Sequence, residues 1–192
     1  MTAAPSPHRD RVVELSTDQL RTRLTEAVQL YVTAMGYSPS TVQQRAPMWS
    51  AHMLRPGWRC IAAFNSRDEL VGVGYGYLGT PGQWWHEQVH RGMLATFPAA
   101  RVEEWMGHYF ELTELHVRPD SQGRGLGESI LRRLLDGAEG RTVLLSTPEG
   151  PTRAWTLYRR VGFVDLLRDY HFAGDSRPFA VLGRELPLDA PT

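Results

Sequence analysis

The sequence lacks the features that would place the chain in a membrane, outside the cell or on a nucleic acid. It has one cysteine, Cys60, so no disulfide can form within the chain and nothing argues for secretion. Residues 1–7 contain no apolar leader, and no stretch approaches the length of a membrane span. Lysine plus arginine equals aspartate plus glutamate at 21 each, so a basic excess for nucleic-acid binding is missing. We therefore expect a cytoplasmic protein without a nucleic-acid partner.

The length of 192 residues, of which 42% are hydrophobic, fits one globular domain. We expect its core at about residues 11–187, with loose termini. A short apolar run at Val12–Leu15 predicts an edge strand, and the Ser16–Gln19 capping box predicts a helix that ends near Gly36. A second helix should begin around residues 38–39 and be kinked or restarted at Pro47.

The middle of the chain predicts two strands and an aromatic segment. The strands are Trp58–Phe64 and Leu70–Leu78. In the second strand, Gly72, Gly74 and Gly76 share one face, so something must pack very close to it. A helix resting on the sheet is favoured there over a ligand. Residues 79–108 predict a loop-rich, aromatic stretch that covers a site, with a weak helix near 86–95.

The second half of the chain is patterned more clearly. Residues 109–146 predict a strand, a loop, a helix and a further strand, which is a βαβ unit with a parallel pair. A helix and two strands should follow. The expected elements after residue 108 are strand Tyr109–Val117, loop Arg118–Gly127, helix Glu128–Ala138, strand Thr142–Ser146, helix Thr152–Val161, strand Phe163–Phe172 and strand Phe179–Leu186.

A glycine-rich segment, Gln122-Gly123-Arg124-Gly125-Leu126-Gly127, lies between the first of these strands and its helix. Glycines let the backbone bend tightly and bring its N–H groups close to an anion, and the helix adds the positive end of its dipole. A diphosphate is the natural guest, and the alternative is that the glycines serve only the conformation of a turn between strand and helix. The segment is neither a P-loop, since Glu128 follows Gly127, nor a dinucleotide fingerprint, since it reads Gly-x-Gly-x-Gly.

Two linked motifs resemble those of the GNAT superfamily of N-acetyltransferases. The first is Leu115-His116-Val117-Arg118-Pro119 followed by Gln-x-x-Gly-x-Gly at Gln122–Gly127. The second is Ala154–Phe163, at the expected distance downstream. Together they cover residues 109–163. One position departs from the family pattern, since many relatives have asparagine where this chain has Pro151.

The resemblance implies an α/β (α+β) GNAT fold: a central mixed, mostly antiparallel sheet of six to seven strands, flanked by helices, with splayed central strands. It implies acetyl-CoA as co-substrate. Its pantetheine arm would contact the backbone around Leu115, His116 and Val117, with the Val117 N–H at the thioester carbonyl. The pyrophosphate would bind at Gln122, Gly123, Arg124, Gly125, Leu126 and Gly127. No metal is expected.

The resemblance also implies catalytic residues for direct attack by an amine. Tyr158 matches the general acid that protonates the leaving thiolate. Glu111 falls where the histone-acetylating branch carries its glutamate base, and Glu114 on the same predicted strand is the alternative. Three residues apart, the two glutamates should point to opposite faces of a regular strand, unless a bulge intervenes. His86, His108 and His116, or an ordered water, are also candidates for the base.

The leading functional hypothesis is acetyl-CoA-dependent N-acetylation of a small-molecule or peptide amine. Alternatives are an enzyme that uses another acyl-CoA or a protein N-terminus, and a catalytically silent acyl-CoA-binding module. Retention of Tyr158 and Glu111 favours an enzyme. Residues 30–58 and 79–108 should select the acceptor, and exposed aromatic residues in the second segment would suit a homodimer.

Overall fold

The computed structural model describes residues 10–189, so most of the expected loose termini, 1–10 and about 187–192, lies outside the described residues. Seven strands form one mixed sheet in the order β1-β2-β3-β4-β5-β7-β6. In chain order the strands are β1 (Arg11–Leu15), β2 (Arg59–Phe64), β3 (Leu70–Gly79), β4 (Tyr109–Val117), β5 (Thr142–Pro148), β6 (Val164–Tyr170) and β7 (Phe179–Glu185). The predicted strands are therefore confirmed, including β1 at the edge of the sheet.

Seven α-helices accompany these strands in the described part of the chain. They are α1 (Thr17–Thr22), α2 (Leu24–Met35), α3 (Thr41–His52), α4 (Trp84–Thr96), α5 (Ala99–Met106), α6 (Leu126–Leu135) and α7 (Arg153–Arg160). A short 3-10 turn at Pro119–Ser121 precedes the glycine-rich segment. None of the helices described is long and apolar enough to cross a membrane.

The chain forms two compact units, each built from two separate stretches. Among the described residues, the first unit comprises 10–75 and 114–134, and the second comprises 76–113 and 135–189. Strands β3 and β4 each contribute to both units. The boundaries expected for a single domain stay a prediction.

In the first unit, β1 pairs antiparallel with β2 from Arg11↔Phe64 to Leu15↔Cys60. Helix α6 packs on the glycine face of β3, as the sequence predicts. A Cβ atom added at Gly72 would lie 2.6 Å from Ile130 Cδ1, and one at Gly74 would lie 2.9 Å from Ile130 Cγ2. The glycines therefore make room for a helix side chain.

The prediction of one helix from the capping box to Gly36 is wrong in one respect, because two helices, α1 and α2, occupy this stretch. The Ser16–Gln19 box and the left-handed Gly36 cap are both present. Between them, Arg23 leaves the helical conformation at φ −112° and ψ 13°. Its guanidinium pairs with Glu26 at 3.0 Å and also with Asp68, and these contacts accompany the break.

The third helix also differs from the prediction. It begins at Thr41, after Pro39, and runs through Pro47 to His52 without a restart. Proline in a helix removes the hydrogen bond to the carbonyl four residues earlier. Pro47 and Gln43 both lie at the exposed side of the helix, where water can replace the missing donor.

In the second unit, β4 and β5 form the predicted parallel pair, in register from Tyr109↔Thr142 to Glu111↔Leu144. Strand β7 pairs antiparallel with both β5 and β6. The expectation of a loop-rich stretch at 79–108 is wrong, since α4 and α5 occupy most of it. Apolar side chains of these helices, including Val89, Met93, Val102 and Trp105, join a core with Leu144, Leu166 and Val181 of the strands.

Candidate active site

In the first unit, the glycine-rich segment connects the end of β4 to the start of α6. The Gln122 side chain ties it to the strand, because Nε2 donates to the Val117 carbonyl at 3.0 Å. Gly123 and Gly125 both have φ of +78°, a left-handed conformation that favours glycine. A Cβ atom added at Gly125 would meet no heavy atom within 4 Å. The segment therefore turns sharply and leaves open space beside Gly125.

This geometry suits an anion. The first N–H groups of a helix have no carbonyl in a preceding turn, and α6 begins at Leu126, directly after the turn. Residues 123–125 are exposed, while Leu126 is buried and anchors the helix. The backbone amides from Gly123 to Gly127 and the positive end of the helix dipole thus fit the diphosphate of a nucleotide-like group.

The arginines near this segment have protein partners. Arg132 bonds to Glu128 at 2.9 Å, and Arg133 donates to the Val12 carbonyl at 3.1 Å. Arg124 makes a weaker contact of 3.4 Å with the Asp120 carbonyl. Asp120 has its pKa lowered, mainly by its hydrogen bond to Arg118. Because its contact is the longest of the three, Arg124 is the arginine that could turn toward an anion with the smallest loss of hydrogen bonding to the protein.

The end of β4 carries Leu115, His116 and Val117, the residues expected at the pantetheine arm. Glu114 precedes them, and its Oε2 lies 2.5 Å from Nε2 of His116. The two side chains are only 12% and 11% exposed. The Tyr31 ring meets the His116 imidazole edge to face, with 4.9 Å between ring centres. Residues two apart on a strand share a face, so the Glu114-x-His116 spacing could have revealed this pair in the sequence.

In the second unit, Glu111 is a buried carboxylate on β4. The Tyr77 hydroxyl of β3 donates to its Oε1 at 3.0 Å, and the Thr113 hydroxyl lies 3.5 Å from the same oxygen. The residue is 3% exposed. The two candidate glutamates thus have different partners, with hydroxyl groups at Glu111 and an imidazole at Glu114.

Tyr158 lies on α7 in the second unit and is buried. Its ring packs against Phe163, with 5.4 Å between ring centres. Thr152 caps the start of α7, because its hydroxyl oxygen accepts a hydrogen bond from the backbone N–H of Trp155 at 3.1 Å. The threonine next to Pro151 is therefore engaged in holding the helix that carries Tyr158.

Helix α4 adds polar side chains that the sequence did not single out as a group. The Trp85 indole N–H donates to Ser146 Oγ of β5 at 2.9 Å. Nδ1 of His86 and the Tyr109 hydroxyl share a bond of 3.0 Å, and burial lowers the pKa of His86. His108, the other histidine considered as a base, is exposed. No residue pattern in 79–108 could have matched these side chains with β4 and β5, since the partners are 23 and 61 positions away.

Within residues 10–189, no group of three or more histidine, cysteine, aspartate or glutamate side chains could hold a metal ion.

Comparisons with known proteins identify the family to which the chain belongs. The family described as the acetyltransferase (GNAT) domain matches residues 59–165. A curated relative is the GCN5-like protein acetyltransferase Rv2170 of Mycobacterium tuberculosis. It is 46% identical over an alignment of 202 residues, and the alignment covers 92% of this chain and 98% of the relative. The chain therefore belongs to the GNAT acetyltransferase family and is an acyltransferase, as the two motifs predict.

Solved structures of the family share the fold at low identity. A GNAT superfamily phosphinothricin acetyltransferase of Sinorhizobium meliloti, in complex with acetyl-CoA, has a TM-score of 0.60 and 16% identity, over 92% of this chain and 88% of that one. A GNAT-family acetyltransferase of Bacillus cereus has a TM-score of 0.59 and 14% identity, over 92% of this chain and 97% of that one. These similarities confirm the predicted GNAT fold, with seven strands and flanking helices.

Proposed function

We propose that this chain transfers the acetyl group of acetyl-CoA to an amine of a protein or peptide. One observation carries the choice of co-substrate: the left-handed turn with open space at Gly125, placed directly before a helix N-terminus. The relative that is 46% identical over nearly its whole length is named a protein acetyltransferase, which supports a macromolecular acceptor.

Acetyl-CoA supplies an activated acetyl group as a thioester. The backbone of Gln122, Gly123, Arg124, Gly125, Leu126 and Gly127 holds the diphosphate in this proposal, and the backbone of Leu115, His116 and Val117 holds the pantetheine arm. The bond from Gln122 Nε2 to the Val117 carbonyl fixes the two segments relative to each other. The Val117 N–H is the donor for the thioester carbonyl oxygen.

Two kinds of residue handle protons in this proposal. Tyr158 donates to the departing thiolate, and its buried position keeps water from competing for that role. A group on β4 accepts the proton of the acceptor ammonium, and the candidates are the carboxylates Glu111 and Glu114 and the imidazole of His116. No serine or cysteine nucleophile is required, and burial raises the pKa of the Cys60 thiol, which disfavours a thiolate there.

Nucleic acid is not a proposed partner, because the net charge is zero. A second copy of the chain is a proposed partner, since Trp84 on α4 is 55% exposed. Light scattering of the purified protein would measure the oligomeric state.

The function is tested by incubating the protein with acetyl-CoA and a library of lysine-containing peptides. Release of coenzyme A thiol and acetylation found by mass spectrometry are measured together. The matched control is the same library with dimethylated lysines, and a second control has blocked α-amines. Acetyl-CoA binding without release of thiol would identify a silent acyl-CoA-binding module. Faster transfer from a different acyl-CoA would change the assigned donor, and transfer to α-amines alone would identify an enzyme that modifies protein N-termini.

A further inference from the structure

Glu114 and His116 form a carboxylate–imidazole pair of limited solvent access on the strand proposed to hold the thioester. The 2.5 Å contact between Glu114 Oε2 and His116 Nε2 is shorter than the range of about 2.7–2.9 Å that is usual for a hydrogen bond from nitrogen to a charged oxygen. His116 also stands between Leu115 and Val117, whose backbone is assigned to the pantetheine arm. The pair is therefore next in sequence to the groups proposed to position the acetyl thioester.

The contact fixes which imidazole nitrogen can accept a proton. An ionised carboxylate can only accept hydrogen bonds, so the neutral His116 ring must carry its hydrogen on Nε2. Nδ1 is then the basic nitrogen. Among the described residues, Nδ1 makes no side-chain hydrogen bond and is not fully shielded from solvent, although the side chain is only 11% exposed. The lone pair of Nδ1 is therefore available to accept a proton.

The ring orientation is supported from a second element. Tyr31 of α2 packs its ring edge to face on His116, and the Arg45 guanidinium of α3 lies over the Tyr31 ring at 5.8 Å. Arg118, two residues after His116, is paired with Asp120 at 2.7 Å and Glu69 at 3.6 Å. Glu114 is therefore the charged group in direct contact with the imidazole.

We propose that His116 Nδ1 is the proton acceptor for the substrate ammonium and that Glu114 is its positioning residue, a role that rests on the proposed acetyl transfer. The ammonium gives one proton to Nδ1, and the neutral amine attacks the acetyl carbon to form the C–N bond. The C–S bond breaks, and the thiolate takes its proton from Tyr158. The nitrogen releases its second proton to solvent as the amide forms, and Tyr158 regains a proton from solvent. An orienting carboxylate, a base and an accessible ring nitrogen are the arrangement that general-base catalysis requires.

Glu111 offers a less direct route. Its Oε1 already accepts the Tyr77 hydroxyl, and the residue is more deeply buried than Glu114 or His116. If Glu111 took the proton, it would become a neutral, buried carboxylic acid next to the hydroxyl groups of Tyr77 and Thr113. If His116 takes the proton, the charged ring lies beside the Glu114 carboxylate. The assignment to His116 follows from this difference in surroundings.

The test compares kcat/KM against pH for the wild type, His116→Gln and Glu114→Gln, with a peptide that the wild type acetylates. Glutamine keeps an amide donor toward Glu114 but cannot act as a base. His116→Gln should lose about 100-fold or more near neutral pH. Its remaining activity should rise about tenfold per pH unit up to the amine pKa of about 10.4, because only spontaneously neutral amine reacts.

Glu114→Gln should lose about tenfold in kcat with the KM for the peptide little changed, because a neutral amide holds the hydrogen on His116 Nε2 less firmly than a carboxylate. A purely structural role would instead raise KM and lower the melting temperature. This second variant keeps the inference testable if His116→Gln does not fold: an unchanged kcat in Glu114→Gln overturns it.

His171→Gln is the matched control, since His171 also lies near a carboxylate two residues away, Asp169 at 3.4 Å, but its side chain is 52% exposed. It should keep the wild-type profile. A wild-type profile in His116→Gln, with a pH-dependent loss in Glu111→Gln, would assign the base to Glu111 and overturn the inference. A wild-type protein that releases no coenzyme A with any acceptor would instead refute the proposed function.

Discussion

Tyr158 and Tyr170 are two tyrosines of the second unit that we expect to serve different purposes. Replacing Tyr158 with phenylalanine keeps its packing against Phe163 and removes the hydroxyl. Because a general acid contributes roughly 10²–10⁴-fold to turnover, kcat of Tyr158→Phe should fall by that order. Steady-state assays, thermal melting and calorimetric titration of acetyl-CoA would show whether stability and affinity stay close to wild type.

Tyr170→Phe provides the contrast. The Tyr170 hydroxyl donates to the Gln88 carbonyl at 2.6 Å, so its removal should cost about 0.5–1.5 kcal/mol of unfolding free energy and little turnover. If Tyr158→Phe instead behaved like Tyr170→Phe, with kcat preserved and the melting temperature lowered, Tyr158 would be a core residue.

The glycine-rich turn before α6 is the element on which acetyl-CoA binding depends in our proposal. Gly125→Ala places a methyl group in the open space beside the turn and strains a backbone with φ of +78°. We expect acetyl-CoA affinity to fall at least tenfold, or about 1.4 kcal/mol. Isothermal titration with acetyl-CoA measures the change.

Gly36→Ala is the control that shows what backbone strain alone does, so that the loss of acetyl-CoA affinity in Gly125→Ala can be separated from it. Gly36 caps α2 with φ of +67°, and an added Cβ would also meet nothing within 4 Å. Both variants should lose about 1 kcal/mol of unfolding free energy, since left-handed backbone penalises a side chain. Equal acetyl-CoA affinity in the two variants would remove the turn from the binding site.

Strand β3 contains glycines with different neighbours. An added Cβ at Gly76 would lie 2.2 Å from the Glu111 carbonyl oxygen, and one at Gly72 would lie 2.6 Å from the end of the Ile130 side chain. Backbone cannot yield as a flexible side chain can, so Gly76→Ala should cost about 3 kcal/mol or more and Gly72→Ala about 1 kcal/mol. Urea unfolding of both variants gives the comparison, and an equal loss would contradict it.

The stability of the whole protein should depend on pH through His52. This buried side chain shares a 2.9 Å hydrogen bond with the Tyr75 hydroxyl, and burial, with a smaller effect of Arg55, lowers its pKa to about 4. Between this value and the unfolded value of about 6.5, the unfolded chain binds more protons than the folded protein. Stability therefore falls as pH decreases through that window, by about 2 kcal/mol between pH 7 and pH 5.

Urea unfolding of the wild type and His52→Gln at pH 7 and pH 5 measures this contribution. The variant is expected to be less stable at pH 7 but to lose about 2 kcal/mol less on acidification, since glutamine does not titrate. Identical acid-induced losses in the two proteins would show that His52 is not the responsible group.

Across the whole molecule, local sequence patterns determined the strands and the central βαβ unit. Tyr109–Val117 was predicted with the bounds that the structure has, because alternating and apolar residues specify a strand without distant contacts. The capping box at Ser16 and the glycine at position 36 likewise act on their own helix ends. The family itself followed from two motifs in register, and the glycine turn from residues adjacent in sequence.

Tertiary structure decided the remainder, because it depends on partners far apart in the chain. Arg23 contacts Asp68 where the first helix is divided, and α4 and α5 are amphipathic helices whose apolar side chains pack on strands that follow them in sequence. The choice among proton acceptors also depends on distant residues. Tyr77 donates to Glu111 from 34 positions away, and Tyr31 of helix α2 packs on His116 of strand β4. A single sequence states which groups can ionise, but burial and hydrogen-bond partners, which set their chemistry, exist only once the chain is folded.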